Sequence, residues 1–418
     1  MTIAAISTAP GRAGVAVVRV SGPDAFAIVR ALTGREARPG KISMRMVCGE
    51  NCVVLAFKGP RSYTGEDVAE FQCHGGFIAP QRILEACFAA GARLARRGEF
   101  TQRAFLNGKI GLEAAEAVID LIDAKTVRAA ENALAGLAEA NKAKMRALYD
   151  AALDISCTLE HALDINDEEL PQDFMPGVAS RISAFLAAAA DVRRSLGEGR
   201  LLRRGALVAI LGKPNVGKSS LMNALLGQNR AIVSDVAGTT RDSIEEWLDI
   251  EGWPVRLADT AGLRATADVI EAEGVERAKS LAAKADIVIA LDDEAAAIAH
   301  DGKTIRVHAK CDLSRSGDGA LNISSVTHEG LDDLRSRIAA SLNDLANLAS
   351  DDDAQLHDER ASAIASAVKW AQAAAGESDI VLAANSMHNA AESLAPVVDA
   401  HYSADMLERL FSRFCVGK

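Results

Sequence analysis

Short apolar, β-type runs are mixed with turn signals over the first 111 residues. Residues 14–20 read GVAVVRV, are closed by Ser21-Gly22-Pro23, and predict a strand. Residues 53–57 and 68–72 predict two more strands, and Gly75-Gly76 leads towards a helix over residues 82–90. The period changes at residue 112. Leu112, Ala115, Ile119 and Ile122 fall at i, i+3, i+7 and i+10, which predicts one apolar helix face. Helical composition continues to about residue 164. An acidic loop over 164–173, with Pro171, separates it from a helix over 177–196. From 205 to 343, strand-like runs at 206–211, 255–258, 286–291 and 305–308 alternate with helix, the mark of a parallel α/β sheet. Ala361, Ile364, Ala365, Val368 and Ala371 then repeat a helical stripe.

The expected fold is therefore multidomain α/β and α+β. An N-terminal α+β domain covers 1–111, and a helical bundle begins over 112–204. An α/β domain over 205–343 is inserted into that bundle, which resumes over 344–418. A chain of 418 residues is long enough to bury its cores without staples. Its seven cysteines are scattered without metal-site spacing, which predicts free thiols in a reducing cytoplasm. No apolar run approaches the ~18 residues of a membrane span, and the first residues lack the pattern of a secretory signal.

The formal charge of −11 excludes a broad basic surface of the kind that holds nucleic acid without regard to sequence. The average conceals a split. Residues 1–111 carry 15 Lys/Arg against 8 Asp/Glu, net +7, and the remainder carry 31 against 49, net −18.

Gly212-Lys213-Pro214-Asn215-Val216-Gly217-Lys218-Ser219 matches GxxxxGK[ST] between an apolar strand and a helix. Glycines let backbone N–H groups converge on phosphate, and the helix N-terminus adds positive potential. Lys218 is positioned for the terminal phosphates, Ser219 for Mg²⁺, and Ser220 continues the first turn. Asp259-Thr260-Ala261-Gly262 ends a strand, where the Asp serves the Mg²⁺ water shell and Gly262 N–H the γ-phosphate. Thr239 and Thr240 lie between the two motifs, where a γ-phosphate-sensing loop belongs, and Thr240 completes the Mg²⁺ shell.

Ala309-Lys310-Cys311-Asp312 follows a strand, and the Asp312 carboxylate suits the N1–H and amino group of guanine. The set resembles a translation-factor-type GTPase. In that class the base motif usually reads Asn-Lys-x-Asp, so Ala309 removes an amide brace and predicts weaker guanine nucleotide binding. Ser324-Ser325 is either the loop behind the base or a solvated turn. Leu263 follows Gly262 and cannot orient water, which leaves Arg264, Glu271 and Glu273 as candidates. Transition-state charge is met by a monovalent cation held by Asn215 and loop carbonyls.

Further motifs carry a closer resemblance. They are Ala9-Pro10-Gly11-Arg12-Ala13-Gly14-Val15 with Arg19-Val20-Ser21-Gly22, then Ser62-Tyr63-Thr64-Gly65-Glu66-Asp67-Val68 with Glu70, and His74-Gly75-Gly76. Gly98-Glu99-Phe100-Thr101, Arg103-Ala104-Phe105-Leu106-Asn107-Gly108-Lys109 and the final Phe414-Cys415-Val416-Gly417-Lys418 complete the set. Over nearly its full length the chain resembles the bacterial tRNA-modification GTPase family called MnmE or TrmE.

The resemblance implies a folate-binding, dimerising N-terminal domain and a GTPase domain inserted into a helical one. It implies a homodimer that joins an MnmG-like, FAD-dependent flavoprotein in a heterotetramer. Together they add an aminomethyl-type group at C5 of the wobble uridine of certain tRNAs. The implied cofactors are GTP, Mg²⁺, K⁺ and 5-formyl- or methylene-tetrahydrofolate. Arg19, Glu70, Lys109 and Lys418 match folate-contacting positions. Asn215 matches the K⁺ ligand, Thr239 lies in the loop around that ion, and Glu271 matches the residue that orients the attacking water. Arg264 is retained beside Glu271 as a catalytic candidate. Cys415 is either a participant near the modification site or a terminal packing thiol. Arg97, Ala309 and Ser325 depart from the family pattern. The alternative function is a GTPase switch in ribosome assembly without modification chemistry. A third is a folate-dependent aminomethyltransferase with a degenerate GTPase domain.

Overall fold

The computed structural model describes residues 1–138, 140–164, 171–228, 245–259, 276, 279–298, 302–317, 319–347, 356–398, 411–412 and 414–417. They form two compact units. The described residues of the first are 1–119, 137–138 and 411–417 without 413, and the second takes the rest from 120 onward.

In the first unit the strands are β1 (Ile3–Ile6), β2 (Ala16–Ser21), β3 (Ser43–Val47), β4 (Glu50–Phe57), β5 (Val68–Cys73) and β6 (Arg93–Leu94). They order as β3-β4-β5-β2-β1-β6, antiparallel except for the parallel β1–β6 edge. Alternation decides the faces. Val18, Val20, Val54 and Phe71 turn to α1 (Ala25–Thr33) and α2 (Ile78–Ala89), burying Ile28, Val29 and Ile83 with them. Ile3, Ala5, Ala95 and Phe100 fill a smaller core, the last from α3 (Glu99–Leu106). Arg19 and Glu70, opposite each other in register, point away from the larger core. Burial pushes the Cys52 and Cys87 thiols up to about 12, so these stay protonated as packing groups.

Helices α4 (Leu112–Asp123), α5 (Val127–Leu137), α6 (Ala140–Leu163) and α7 (Phe174–Arg204) follow. In the second unit, α7 buries Val178, Ile182, Phe185, Ala189, Val192 and Leu196 at helical spacing against Met145, Leu148 and Ile155 of α6. The α/β portion comprises β7 (Ala206–Leu211), α8 (Lys218–Gln228), β8 (Glu245–Ile250), β9 (Trp253–Asp259), β10 (Ile287–Ala290), α9 (Asp293–Ala296), β11 (Lys303–His308), β12 (Leu321–Asn322) and α10 (Leu331–Asn347). The chain returns to the bundle through α11 (Leu356–Gly376) and α12 (Ile380–Val398).

The second sheet orders as β12-β11-β10-β7-β9-β8, parallel except for the β8–β9 hairpin. Every residue of central β7 is buried, because Val208 and Ile210 serve one core while Leu207, Ala209 and Leu211 serve the other.

Two expected helix faces shift. Ile122 is exposed at the end of α4, although Leu112, Ala115 and Ile119 are buried. On α11 the core runs through Ile364, Ala367, Ala371 and Ala374, while Ala365 is exposed. In an Ala-rich helix many rotations give a comparable apolar stripe, and packing against α7 and α12 selects one. The helix expected over 177–196 extends from Phe174 to Arg204. Most of the acidic loop expected over 164–173 lies outside the described residues.

Candidate nucleotide site and N-terminal cluster

The apolar run of β7 ends at Leu211, and Gly212–Gly217 connects it to α8. Gly212 (φ 154), Asn215 (φ 63) and Gly217 (φ 118) have left-sided backbones that wrap this loop. A Cβ on Gly212 would sit 3.0 Å from Leu291 Cβ and from Val216 Cγ1, so close packing requires glycine there. Lys218 is buried, and its Nζ donates to the Gly212 and Lys213 carbonyls at 2.8 Å each. Ser219 and Ser220 are exposed in the first turn of α8. A loop of converging N–H groups, a lysine and two hydroxyls at a helix N-terminus can take phosphate and a metal beside it.

The base motif leaves the end of β11. Lys310 (φ 60) crosses the phosphate loop, and its Nζ donates to the Asn215 carbonyl at 3.0 Å. Ala309 Cβ lies 3.6 Å from where a Gly217 Cβ would be, so a methyl stands where an amide could reach the loop. Asp312 is exposed, and the Cys311 N–H donates to the Ile323 carbonyl at 2.9 Å. Ser324 is fully buried, and its Oγ accepts from Val326 and Thr327 N–H at 3.3 and 3.2 Å. It shapes the 324–327 turn.

Asp259 ends β9, paired in register with Ile210 of β7. That brings the start of the second phosphate motif beside the strand that carries the first. Thr239, Thr240, Thr260, Ala261, Gly262, Arg264 and Glu271 lie outside the described residues.

Asp292 escaped the sequence reading. One of its carboxylate oxygens accepts the Lys213 N–H at 2.6 Å and the other the Ala295 N–H at 2.8 Å. It therefore caps α9 and ties the phosphate loop to β10. Lys213 also pairs with Glu294 at 2.7 Å, which raises the ammonium pKa. The available signal was an Asp directly after the apolar strand of residues 286–291.

In the first unit, Arg19 Nε donates to Glu70 Oε1 at 2.8 Å. The guanidinium stands 5.5 Å from the Tyr63 ring centre and 5.7 Å from that of Phe100. The loop 62–66 joins this pair to its neighbours. Tyr63 OH bonds Thr101 Oγ1 at 2.8 Å, and the Thr64 carbonyl accepts from Asn107 Nδ2 at 2.7 Å. Gly65 (φ 80) packs under the Lys109 stem, with its Cβ position 3.1 Å from Lys109 Cγ. Arg19, Glu70 and Lys109 thus flank one loop, while Lys418 lies outside the described residues. Cys415 is exposed, its carbonyl accepting from Gly98 N–H. Gly417 (φ 101) fits against the Ile6 carbonyl, where a Cβ would come within 2.3 Å. The described residues of this tail pack within the first unit.

A second set also went unread. Glu66 Oε2 accepts from Ser21 Oγ and Arg103, each at 2.8 Å. Buried Glu99 accepts from Arg93, from Arg103 and from the Arg96 N–H. Burial pushes the Glu99 carboxyl up, but these donors outweigh it and bring it down to about 2. Glu66 and Glu99 both stand inside the motifs quoted above. Their spacing alone does not show that Arg103 joins them.

A mostly parallel sheet with this loop between β7 and α8 defines a P-loop nucleotide-binding protein. Two family models match: "GTP-binding protein TrmE N-terminus" over residues 2–109, and "MnmE helical domain" over residues 112–415. The chain belongs to the MnmE (TrmE) family. Among similar proteins is the tRNA modification GTPase MnmE of Pseudomonas fluorescens, 40% identical over 456 residues, covering 100% of this chain and 99% of that one. The Bordetella petrii protein of the same name is 40% identical over 448 residues, covering 100% and 98%. The G domain of the T. maritima FeoB iron transporter is 26% identical, covers 32% of this chain and 98% of its own, and has a TM-score of 0.25.

Proposed function

We propose that this chain hydrolyses GTP and takes part in tRNA modification. Its FAD-dependent flavoprotein partner is similar to MnmG, and the target is C5 of a wobble uridine. The observation that carries the nucleotide half is the β7–loop–α8 cradle crossed by Lys310. Family membership carries the tRNA half.

The chain's own residues suit the substrate. Loop N–H groups and Lys218 bind and orient the phosphates, and Asp312 selects guanine by accepting its two N–H donors. Ser219 and Thr240 would hold Mg²⁺, which would supply charge neutralisation at the phosphates when bound. Asn215 and Thr239 would hold K⁺. Glu271, with Arg264 nearby in sequence, orients the attacking water. Asp259, Thr260, Ala261 and Gly262 are the second motif assigned to the γ-phosphate. In the first unit, the carboxylate of Glu70 fits the donor edge of a pterin. Arg19, Lys109 and Lys418 suit its polyanionic tail. A one-carbon tetrahydrofolate, 5-formyl or methylene, supplies the carbon when bound. The chain acts as a homodimer in the cytoplasm. Among the described residues no helix is long and apolar enough to cross a membrane.

Nucleoside analysis of tRNA from cells lacking this chain tests the proposal. Loss of a C5-substituted wobble uridine is expected, and an unchanged uridine profile would overturn it. Calorimetry with 5-formyl-tetrahydrofolate separates the ribosome-assembly switch, which needs no folate pocket.

A further inference from the structure

The β8–β9 hairpin has two ends. Its ladder closes at Ile250 and Trp253 through a two-residue turn, Glu251 (φ 50) and Gly252 (φ 85). Both left-handed residues suit the twist of a tight hairpin. At the other end, β8 starts at Glu245, following Thr239 and Thr240 in sequence. β9 ends at Asp259, just ahead of Thr260–Gly262. A laddered ribbon of this length spans about 20 Å and is stiff along its axis.

The turn is gripped. Thr126 Oγ1 donates to the Gly252 carbonyl at 2.8 Å and accepts the Ala129 N–H at 3.2 Å. One hydroxyl therefore caps α5 and holds the turn. The Arg128 guanidinium lies 4.0 Å from the ring centre of Trp253, which is buried. The same guanidinium pairs with Glu198 of α7 at 3.5 Å. A Cβ on Gly252 would stand 3.1 Å from Arg128 Cβ, so turn and side chain are in close contact. None of these groups serves phosphate or base.

We infer that Thr126 and Arg128 are positioning residues that carry the state of the nucleotide site, through the β8–β9 hairpin, into helices α5 and α7. The inference rests on the GTPase reading above and adds the route by which that site acts on the helices. Arg128 is suited to the task because one planar group contacts the hairpin, through the ring of Trp253, and α7, through Glu198.

The test is amide hydrogen exchange of the full chain with GDP and with a non-hydrolysable GTP analogue, read over residues 127–137. Wild type should show exchange rates in α5 that differ about fivefold between nucleotides, the low end of ordinary coupling. In Arg128→Ala that difference should vanish, while GTP affinity and protection of α6 and α12 stay unchanged. Arg128→Lys should keep most of it, because an ammonium retains the cation–π contact. Thr126→Val, close in volume but without the hydroxyl, should weaken it as well. Equal exchange with both nucleotides in wild type would overturn the inference, and so would a difference that survives Arg128→Ala. A wild-type chain that binds no guanine nucleotide would instead sink the parent GTPase reading, and this inference with it.

Discussion

At Glu99, one buried carboxylate meets Arg93, Arg103 and the Arg96 N–H. Its pKa falls from 4.5 to about 2 on folding. The resulting stabilisation is complete above pH 4.5 and disappears as pH drops through 2. Its size is on the order of 3 kcal/mol. Thermal melts of wild type should therefore fall steeply between pH 4.5 and 2. Glu99→Gln should lower the midpoint at neutral pH and flatten that slope. Ala309 sets a second residue-scale expectation. Its methyl faces the phosphate loop at Gly217, so Ala309→Asn should restore an amide brace and raise GDP affinity about 2- to 10-fold by calorimetry. Asp292→Ala removes the acceptor of the Lys213 N–H and the cap of α9, and should raise KM for GTP about 2- to 10-fold, the effect of one hydrogen bond lost. Asp292→Asn keeps one acceptor oxygen and should lose less.

Elements form where local pattern and packing agree. β7 is apolar throughout because both faces of a central parallel strand are covered. That made it legible, along with the helix that Lys218 begins. Of the N-terminal strands, β2, β4 and β5 were legible, whereas β1, β3 and β6 are short runs whose pattern did not mark them. The rotation of α11 was not, because alanine on every side leaves the apolar stripe underdetermined until α7 and α12 press against it. The bundle core itself is ordinary close packing. Phe185 of α7 is buried among the helices there, and Phe185→Ala should cost about 3–5 kcal/mol, measured by chemical denaturation.

Across the whole molecule, charge is distributed unevenly. The +7 of residues 1–111 includes Arg35, Arg38 and Lys41, all exposed, whereas the remainder carries −18. A polyanion should be held locally by the first unit and not by a broad face. Replacing Arg35, Arg38 and Lys41 with Gln in the full chain should flatten the slope of log K for tRNA against log salt by about 2. An unchanged slope in filter-binding titrations would move the tRNA contact elsewhere.

The sequence alone marked the phosphate loop, the Ala309-Lys310-Cys311-Asp312 motif and the order of helical and α/β segments. Each is written in contiguous residues whose spacing is the physical requirement: glycines at tight turns, apolar runs for buried strands, a helix after the loop. Tertiary structure alone decided which distant groups meet. Asp292 reaches Lys213 across 79 positions, and Thr126 reaches Gly252 across 126. It also packed the described end of the chain, Phe411 and Phe414–Gly417, within the first unit. Such pairings depend on how strands order and helices turn, and no local period in the chain records them.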